Sequence, residues 1–515
     1  MAFLGLDLGT TGVRALLIDD SGALLGAATA EHPLHSPAPG WMEQNPDDWW
    51  RATGQAVRAA LRDARLAGDA VRAIAVSGQM HGATLVDASG AVVRPCILWN
   101  DQRSAAQCAE IMVRVGLERM LSITGNVALA GFTAPKLLWV REHEPEHWAR
   151  VAHVLLPRDY LNFRLTGVPA SEPSDAAGTL LFDVRARRWS AEILHDLDLD
   201  QELLPPIVPS AEVMGHLTAE AAGVLGLPEG VPVMGGGADN ACAAAGNGVL
   251  EPGQVLCSVG TSGTVVAPVG LEVPTPGYNV HLFSHVSPRV NYLMGVVLSA
   301  GGALRWFRDT CAPELMAAAR TGGPDPYEVL TAEAAATPPG AEGLLFLPYL
   351  TGERTPHGSA EARGVFFGLS PRHDRGHLTR AVIEGVSFAL GQSLTLLRGA
   401  GVDAEEVRLT GGGARSPFWR QVLADVFECP LVIQAHDEGP AYGAALLAAV
   451  GAGAFPDIET AGRLARPSGR VEPDPKAAAG YRRLAALYAD LYRAVEPLYS
   501  RLVTDESTIG SGSAG

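Results

Sequence analysis

Lysine is almost missing from this chain of 515 residues: of 39 basic residues, only Lys136 and Lys476 are lysines. A Gly-x-x-x-x-Gly-Lys-[Ser/Thr] loop occurs nowhere, which excludes a P-loop nucleotide site. A Schiff-base enzyme would have to rest on one of those two lysines. Paired cysteines are missing as well. Cys96, Cys108, Cys242, Cys257, Cys311 and Cys429 are scattered, and none forms a Cys-x-x-Cys pair. A structural zinc site and a disulfide framework are therefore not expected, and the thiols are expected to be small buried hydrophobes of a reducing compartment. Positive charge is scarce overall. A formal net charge of −17 leaves no basic footprint for nucleic acid or for an anionic membrane. A run long enough to span a bilayer is absent, since the longest uncharged stretches, such as 441–455, are short and rich in glycine and alanine. The N-terminus has no basic segment and begins directly with a strand, so the expected location is the cytoplasm.

What is present is a large apolar fraction, 47% of the residues, enough for several cores. The chain opens with an apolar strand over 3–7, the turn Gly9-Thr10-Thr11-Gly12, and a returning strand over 13–18, followed by a third strand over 23–28. A helix over 46–66 is opened by Asn45-Pro46. Short strands over 73–76, 83–86 and 96–99 then alternate with helical segments, the pattern of an α/β protein. Halfway along, the opening pattern returns. Leu8-Gly9-Thr10-Thr11-Gly12 aligns with Val259-Gly260-Thr261-Ser262-Gly263, which predicts two lobes of related fold. The expected division is 1–247 and 248–503. A Ser/Gly-rich tail over 504–515 is expected to be disordered.

Four constellations carry chemistry. In the first, Asp7 ends a strand ahead of Gly9, Thr10, Thr11 and Gly12. Glycines admit phosphate close to the backbone, turn N–H groups and threonine hydroxyls donate to it, and Asp7 can hold Mg²⁺ through water. Its echo at Gly260, Thr261 and Ser262 would complete a phosphate clamp. The second is Gly235-Gly236-Gly237-Ala238-Asp239-Asn240, where Asp239 serves equally well as a general base toward a hydroxyl or as the cap of a following helix. In the third, Gly411-Gly412-Gly413-Ala414-Arg415-Ser416 joins a strand to a helix, either as a nucleotide seat or as a plain turn. The fourth pairs Gln79-Met80-His81-Gly82 with Trp99-Asn100-Asp101-Gln102-Arg103, a polar and aromatic group suited to a sugar, in which His81 could equally be a satisfied core histidine.

Taken together, and in this order along nearly the whole chain to about residue 500, these motifs resemble the FGGY carbohydrate kinases of the actin-like ATPase superfamily. Further points of likeness are Gly131-Phe132-Thr133-Ala134-Pro135-Lys136-Leu137-Leu138-Trp139 and Ser174-Asp175-Ala176-Ala177-Gly178-Thr179. The resemblance implies a two-lobed α/β, actin-like (ribonuclease H-like) fold with duplicated βββαβαβα-type cores and a cleft between them. It implies ATP and Mg²⁺ as cofactors, a small sugar as acceptor, and a homodimer as the assembly. Asp239 would be the general base and Asp7 would orient Mg²⁺. Met80, His81, Asp239 and Asn240 would touch the sugar, with Trp99 and Asp101 nearby. Thr10, Thr11, Gly12, Gly260, Thr261 and Ser262 would hold phosphates. Gly412, Gly413 and Ser416 would seat adenosine with Trp306 near the base, and the segment from Glu438 to Gly443 would support the nucleotide lobe. The Gln-Met-His-Gly segment is similar to that of members acting on ketoses rather than glycerol, so the 5-hydroxyl of a ketose such as D-xylulose is the expected acceptor. Other ketoses or polyols, and a non-catalytic actin-like ATPase, remain as alternatives. One departure is Ala238, which separates the glycines from an intact Asp-Asn pair.

Overall fold

The computed structural model describes residues 1–273, 277, 279–434 and 439–510, with the helical backbone alone over 503–510. The chain separates into two compact units. The first joins Met1–Pro252, Pro268–Tyr292 and Glu438–Arg466; the second joins Gly253–Ala267, Leu293–Asp437 and Pro467–Gly515.

In the first unit the strands lie in the order Val213–His216, Pro232–Met234, Val71–Gly78, Ala2–Leu8, Gly12–Ile18, Leu24–Glu31, with Gly237–Ala238 also paired to Val71–Gly78. Ala2–Leu8 runs antiparallel to Gly12–Ile18 and parallel to Val71–Gly78. It is buried along almost its whole length, which explains an apolar run without alternation: both faces are covered. Helix Pro46–Ala64 covers strands Gly12–Ile18 and Leu24–Glu31. It starts where Asn45 accepts from the Asp47 amide ahead of Pro46, and it stops at Arg65, which turns left-handed at φ +54°.

Helix Gly439–Gly451 packs on Ala2–Leu8, Val71–Gly78 and helix Asp239–Gly246. Glu438 lies outside the described residues, and from Gly439 onward this segment groups with the first unit. Two glycines make the approach possible. A Cβ at Gly5 would stand 2.0 Å from the Ala441 carbonyl oxygen, and one at Gly443 would stand 1.9 Å from that of Cys242. The obstacle is backbone in both cases and cannot rotate away. Gly443→Ala is expected to destabilise the protein by at least about 2 kcal/mol, the range of core overpacking, read as a lower midpoint in urea with an unchanged slope.

The second unit repeats the scheme. Gln254–Val259 is antiparallel to Gly263–Gly270 and parallel to Glu406–Thr410, which is parallel to Leu431–Gln434, itself antiparallel to Pro467–Val471. The order antiparallel, parallel, parallel, antiparallel is that of the first unit, as the repeated Gly-Thr turn predicts. Helix Arg375–Gly399 packs against Pro326–Ala336, Pro417–Phe427 and strand Leu345–Leu347. The last helix runs Pro475–Gly510, and residues 511–515, the end of the expected tail, lie outside the described residues. Cys96, Cys242, Cys257 and Cys429 are buried as expected; Cys108 is half-buried and Cys311, at the end of helix Gly301–Cys311, is exposed. Among the described residues no helix is long and apolar enough to cross a membrane.

Candidate active site

Parallel strands deliver their carboxyl ends to one edge of a sheet, where loops gather side chains. In the first unit the registers Asp7↔Ser77 and Gly237↔Ser77 place Asp7, the Gln79–Gly82 loop and Asp239 on three neighbouring strand ends. Asp239 is the first residue of helix Asp239–Gly246. The N-cap position belongs to Ala238, and no side chain caps the helix. The capping role open to Asp239 in the sequence is therefore not the one it takes. Its Oδ1 accepts from the Asn240 amide at 2.7 Å and from Asn240 Nδ2 at 2.9 Å. Burial first, and then the negative charge of Asp7, push its carboxyl up to about 7, against the two bonds from Asn240. Asp7 is itself pushed up to about 6 by burial, opposed by the Ser77 hydroxyl and the Arg14 charge.

Of the expected sugar residues, Met80 lies beside Asn240. Met80 Sδ lies 3.9 Å from Asn240 Nδ2 and 4.0 Å from the Tyr292 hydroxyl. His81 sits at φ +70°, a conformation that costs free energy for a residue with a side chain. It is held there from three sides. Its carbonyl accepts from Lys136 Nζ at 2.8 Å and from the Thr133 hydroxyl at 3.1 Å. Its Nδ1 bonds the Gly178 carbonyl at 2.6 Å, so that nitrogen carries hydrogen. Lys136 is thus explained without covalent chemistry: it is wholly buried and braces the loop, donating also to Gly131 O at 2.8 Å. Phe132 and Phe283 supply apolar ring contacts at 4.5 and 6.0 Å from the imidazole.

Asp101 takes a different place from the expected one. Its buried carboxylate accepts from the Met42 amide at 2.6 Å and pairs with Arg103, Nη2 to Oδ2, at 2.8 Å. Arg103 also reaches Glu43 at 2.7 Å and lies 3.8 Å over the Trp41 ring. Both Asp101 oxygens are committed to this cluster, which shapes the segment carrying Trp99. The Thr10 hydroxyl is committed too: it accepts from Trp99 Nε1 at 3.0 Å and donates to Gln79 Oε1 at 3.1 Å. Gly12 is required by the sheet, because a Cβ there would meet the Ala30 carbonyl oxygen at 2.7 Å. Thr11 is exposed at the hairpin tip.

Arg158, Asp159, Glu172 and Ser210, which no sequence motif singles out, build with Ser174 and Asp175 a buried cluster that supports the Gly235–Asn240 loop. Arg158, fully buried, donates to Gly235 O at 2.5 Å and to Asp175 at 3.3 Å and pairs with Asp159. Ser174 Oγ receives the Ala238 amide at 2.9 Å and in turn donates to Glu172. Glu172 also accepts from Ser210 Oγ at 2.9 Å. The residue immediately before Asp239 is thereby tied to a buried carboxylate. A run such as Ser174-Asp175 between small residues was the only sign of this in the sequence.

In the second unit, Gly260, Thr261 and Ser262 form the matching turn, and Gly260 N bonds Ser262 O at 3.0 Å. The start of helix Gly301–Cys311 is sealed against it: Ala300 N and Gly302 N both donate to Thr261 O at 2.9 Å, and Gly301 N to Gly260 O at 2.8 Å. A Cβ at Gly301 would meet Gly260 O at 2.5 Å, so this glycine pair, unrecognised in the sequence, allows the helix end to abut the turn. Trp306 lies on the same helix and stacks on Phe346, centroids 6.1 Å apart. The parallel register Ser258↔Thr410 sets the Gly411–Ser416 turn beside the first one. Gly411, at φ +87°, and Gly413 wrap over Val259. Ser416 caps helix Pro417–Phe427 by accepting from the Trp419 amide. Gly412, Gly413 and Ser416 thus stand at the carboxyl edge of the sheet with Gly260–Ser262.

Residues 2–246 match the N-terminal domain of the FGGY family of carbohydrate kinases, and residues 255–452 match its C-terminal domain. The chain belongs to that family. It is 42% identical to the xylulose kinase of Escherichia coli (strain K12), over 96% of this chain and 99% of the relative. It is 39% identical to the xylulose kinase of Bacillus subtilis (strain 168), over 97% and 98%. The crystal structure of xylulose kinase from Rhodospirillum rubrum superposes with a TM-score of 0.87 at 32% identity, covering 97% of this chain and 100% of that one. The chain is thus an ATP-dependent carbohydrate kinase of two α/β units.

Proposed function

We propose that this kinase transfers the γ-phosphoryl group of ATP to the 5-hydroxyl of D-xylulose, with Asp239 as the general base. The observation that carries the reading is the placing of Asp239 at a strand end beside Met80 and Asn240, with a carboxyl pushed up to about 7. A base is most effective when its pKa lies near the working pH, since it is then both ionised and able to hold the proton it receives. Likeness to two xylulose kinases over nearly the full length of both chains, at 39% and 42% identity, supports the choice of sugar.

Mg²⁺ fits the residues present. Asp7 Oδ1 is buried with no hydrogen-bond partner, which is an acceptor in want of a cation or of a water bound to one. Among the described residues no cluster of three or more His, Cys, Asp or Glu could cage a metal, as suits an ion held by one carboxylate, water and phosphate. The ion would supply charge neutralisation on the transferring phosphoryl group. The chain's own part is to position: His81 and Asn240 orient the sugar, Asp239 Oδ2 receives the hydroxyl proton, and the Gly-Thr turns present backbone donors. Cytoplasmic location and a homodimer complete the proposed picture.

A panel of sugars in a coupled ADP-release assay tests the substrate. D-xylulose is expected to exceed ribulose and simple polyols in kcat/KM by at least about tenfold, the discrimination available when a buried polar group is left unpaired by the wrong hydroxyl pattern. A polyol or ribulose outrunning xylulose would overturn the assignment of the sugar while leaving the kinase reading in place.

A further inference from the structure

Gln44 is completely buried, one residue before the Asn45 cap, on the short strand Glu43–Gln44. It touches neither the acid pair nor the sugar loop's Met80 and His81, yet it sits at the centre of a closed ring of hydrogen bonds. Two indoles fix the direction of every bond in that ring, because an indole N–H can only donate. Trp49 Nε1 donates to Gln44 Oε1 at 3.0 Å, so the other end of the amide is the NH₂ group. That group donates to Thr10 O at 2.7 Å and to Pro33 O at 3.2 Å, both carbonyls, which agrees. Trp99 Nε1 donates to Thr10 Oγ1 at 3.0 Å, so the hydroxyl proton points onward, to Gln79 Oε1 at 3.1 Å. Gln79 Nε2 then donates to Gln44 Oε1 at 3.0 Å and closes the circuit. His32 adds two more ties to the same hairpin, through Gly9 O at 3.1 Å and through its amide to Thr11 O at 3.2 Å, and its Nδ1 lies 3.2 Å from Gln44 Nε2.

We infer that Gln44 is a positioning residue that fixes the Gly9–Gly12 hairpin against the Gln79–Gly82 loop through the ring Thr10–Gln79–Gln44, so that the phosphate-facing turn and the sugar-holding loop keep one separation. The inference rests on the kinase reading above. The sugar loop has anchors of its own, Lys136 and Thr133 on His81 O and the His81 ring on Gly178 O. The hairpin tip does not share them. Losing Gln44 should therefore free the phosphate side and leave the sugar side in place.

The test uses Gln44→Leu and Gln44→Glu in the full-length enzyme. Leucine removes every bond of the ring at this position. Glutamate keeps an acceptor for Trp49 and Gln79 but sets a carboxylate oxygen against the Thr10 and Pro33 carbonyls, so it opens the ring only at the hairpin and serves alone if the leucine variant is insoluble. For each variant, kcat for xylulose phosphorylation is expected to fall roughly tenfold, the scale of a partial misplacement of reacting groups. Xylulose affinity, by calorimetry without ATP, should stay within about threefold. Adding Thr10→Val to either variant should cost little more, since both changes break one circuit and such effects do not add. A lower melting temperature with kcat unchanged would make Gln44 structural only and overturn the proposal. So would a tenfold loss of sugar affinity, or losses from Gln44 and Thr10 that multiply. Wild-type turnover in the same assay checks the kinase reading separately.

Discussion

Asp239→Asn is expected to lose phosphoryl transfer to xylulose by about 100- to 10,000-fold, the contribution of a positioned general base, while ATP binding persists. Asparagine keeps the shape and can still meet Asn240, so the loss would belong to the proton and not to the fold. A second measurement separates the two further. The carboxyl of Asp239 is pushed from its usual 3.8 up to about 7 by burial and by the charge of Asp7. Between those values the folded protein holds a proton that the unfolded chain has released. Stability therefore falls as pH rises through that window and levels off above it. The asparagine variant lacks this slope. Its melting temperature should exceed that of the wild type at pH 8, and the gap should shrink toward pH 4. Turnover near the wild-type rate would sink the assignment of the base. An unchanged gap at both pH values would sink the account of its environment.

The sequence made the duplicated architecture legible because the Gly-Thr turn has a steric cause that recurs: a tight return between two buried strands, at Gly9–Gly12 and again at Gly260–Gly263. The strand and helix starts were legible for similar reasons. Asn45-Pro46 and Ser416-Pro417 are start signals whose physics is local, and both begin helices in the structure. What was not legible depends on partners far along the chain. Asp101 looked available to a sugar because nothing in its own segment shows that the Met42 amide, 59 residues away, takes one of its oxygens. Thr10 looked like a phosphate donor because the sequence cannot show that Gln79 takes its proton. Lys136, whose few neighbours in sequence are apolar, gave no sign that its charge would be spent on the carbonyl of His81, 55 residues away, and on that of Gly131. Helix Gly439–Gly451 follows the Gly411–Ser416 turn in sequence and was assigned to the same lobe. Only the near contact of Gly5 and Gly443 with backbone oxygens shows why it lies on the first sheet. Motifs reported which atoms could do chemistry; tertiary hydrogen bonds decided which of them are free to.

Asp7→Asn should reduce transfer by on the order of 100-fold and move the acidic limb of kcat/KM, two effects with separate causes. The first follows from the buried Oδ1 that has no partner in the protein: an amide oxygen is a poorer acceptor for a hydrated cation than a carboxylate. Raising Mg²⁺ should therefore recover part of the rate in this variant and none of it in Asp239→Asn. The second follows from the like charge. Asp7 is the second cause, after burial, of the raised pKa of Asp239. Removing its negative charge makes ionisation of Asp239 easier, so the limb that reports the base should shift to lower pH. The shift stops short of the ordinary carboxylate value, because burial, the larger cause, remains. A limb that stays at the wild-type pH would mean that the two carboxylates do not feel each other across the sheet edge. Rate recovery by Mg²⁺ in both variants alike would remove Asp7 from the metal's neighbourhood. The two readouts thus test the acid pair as a unit: one carboxylate set to hold a cation, the other kept basic enough by burial and by that neighbour to take the proton.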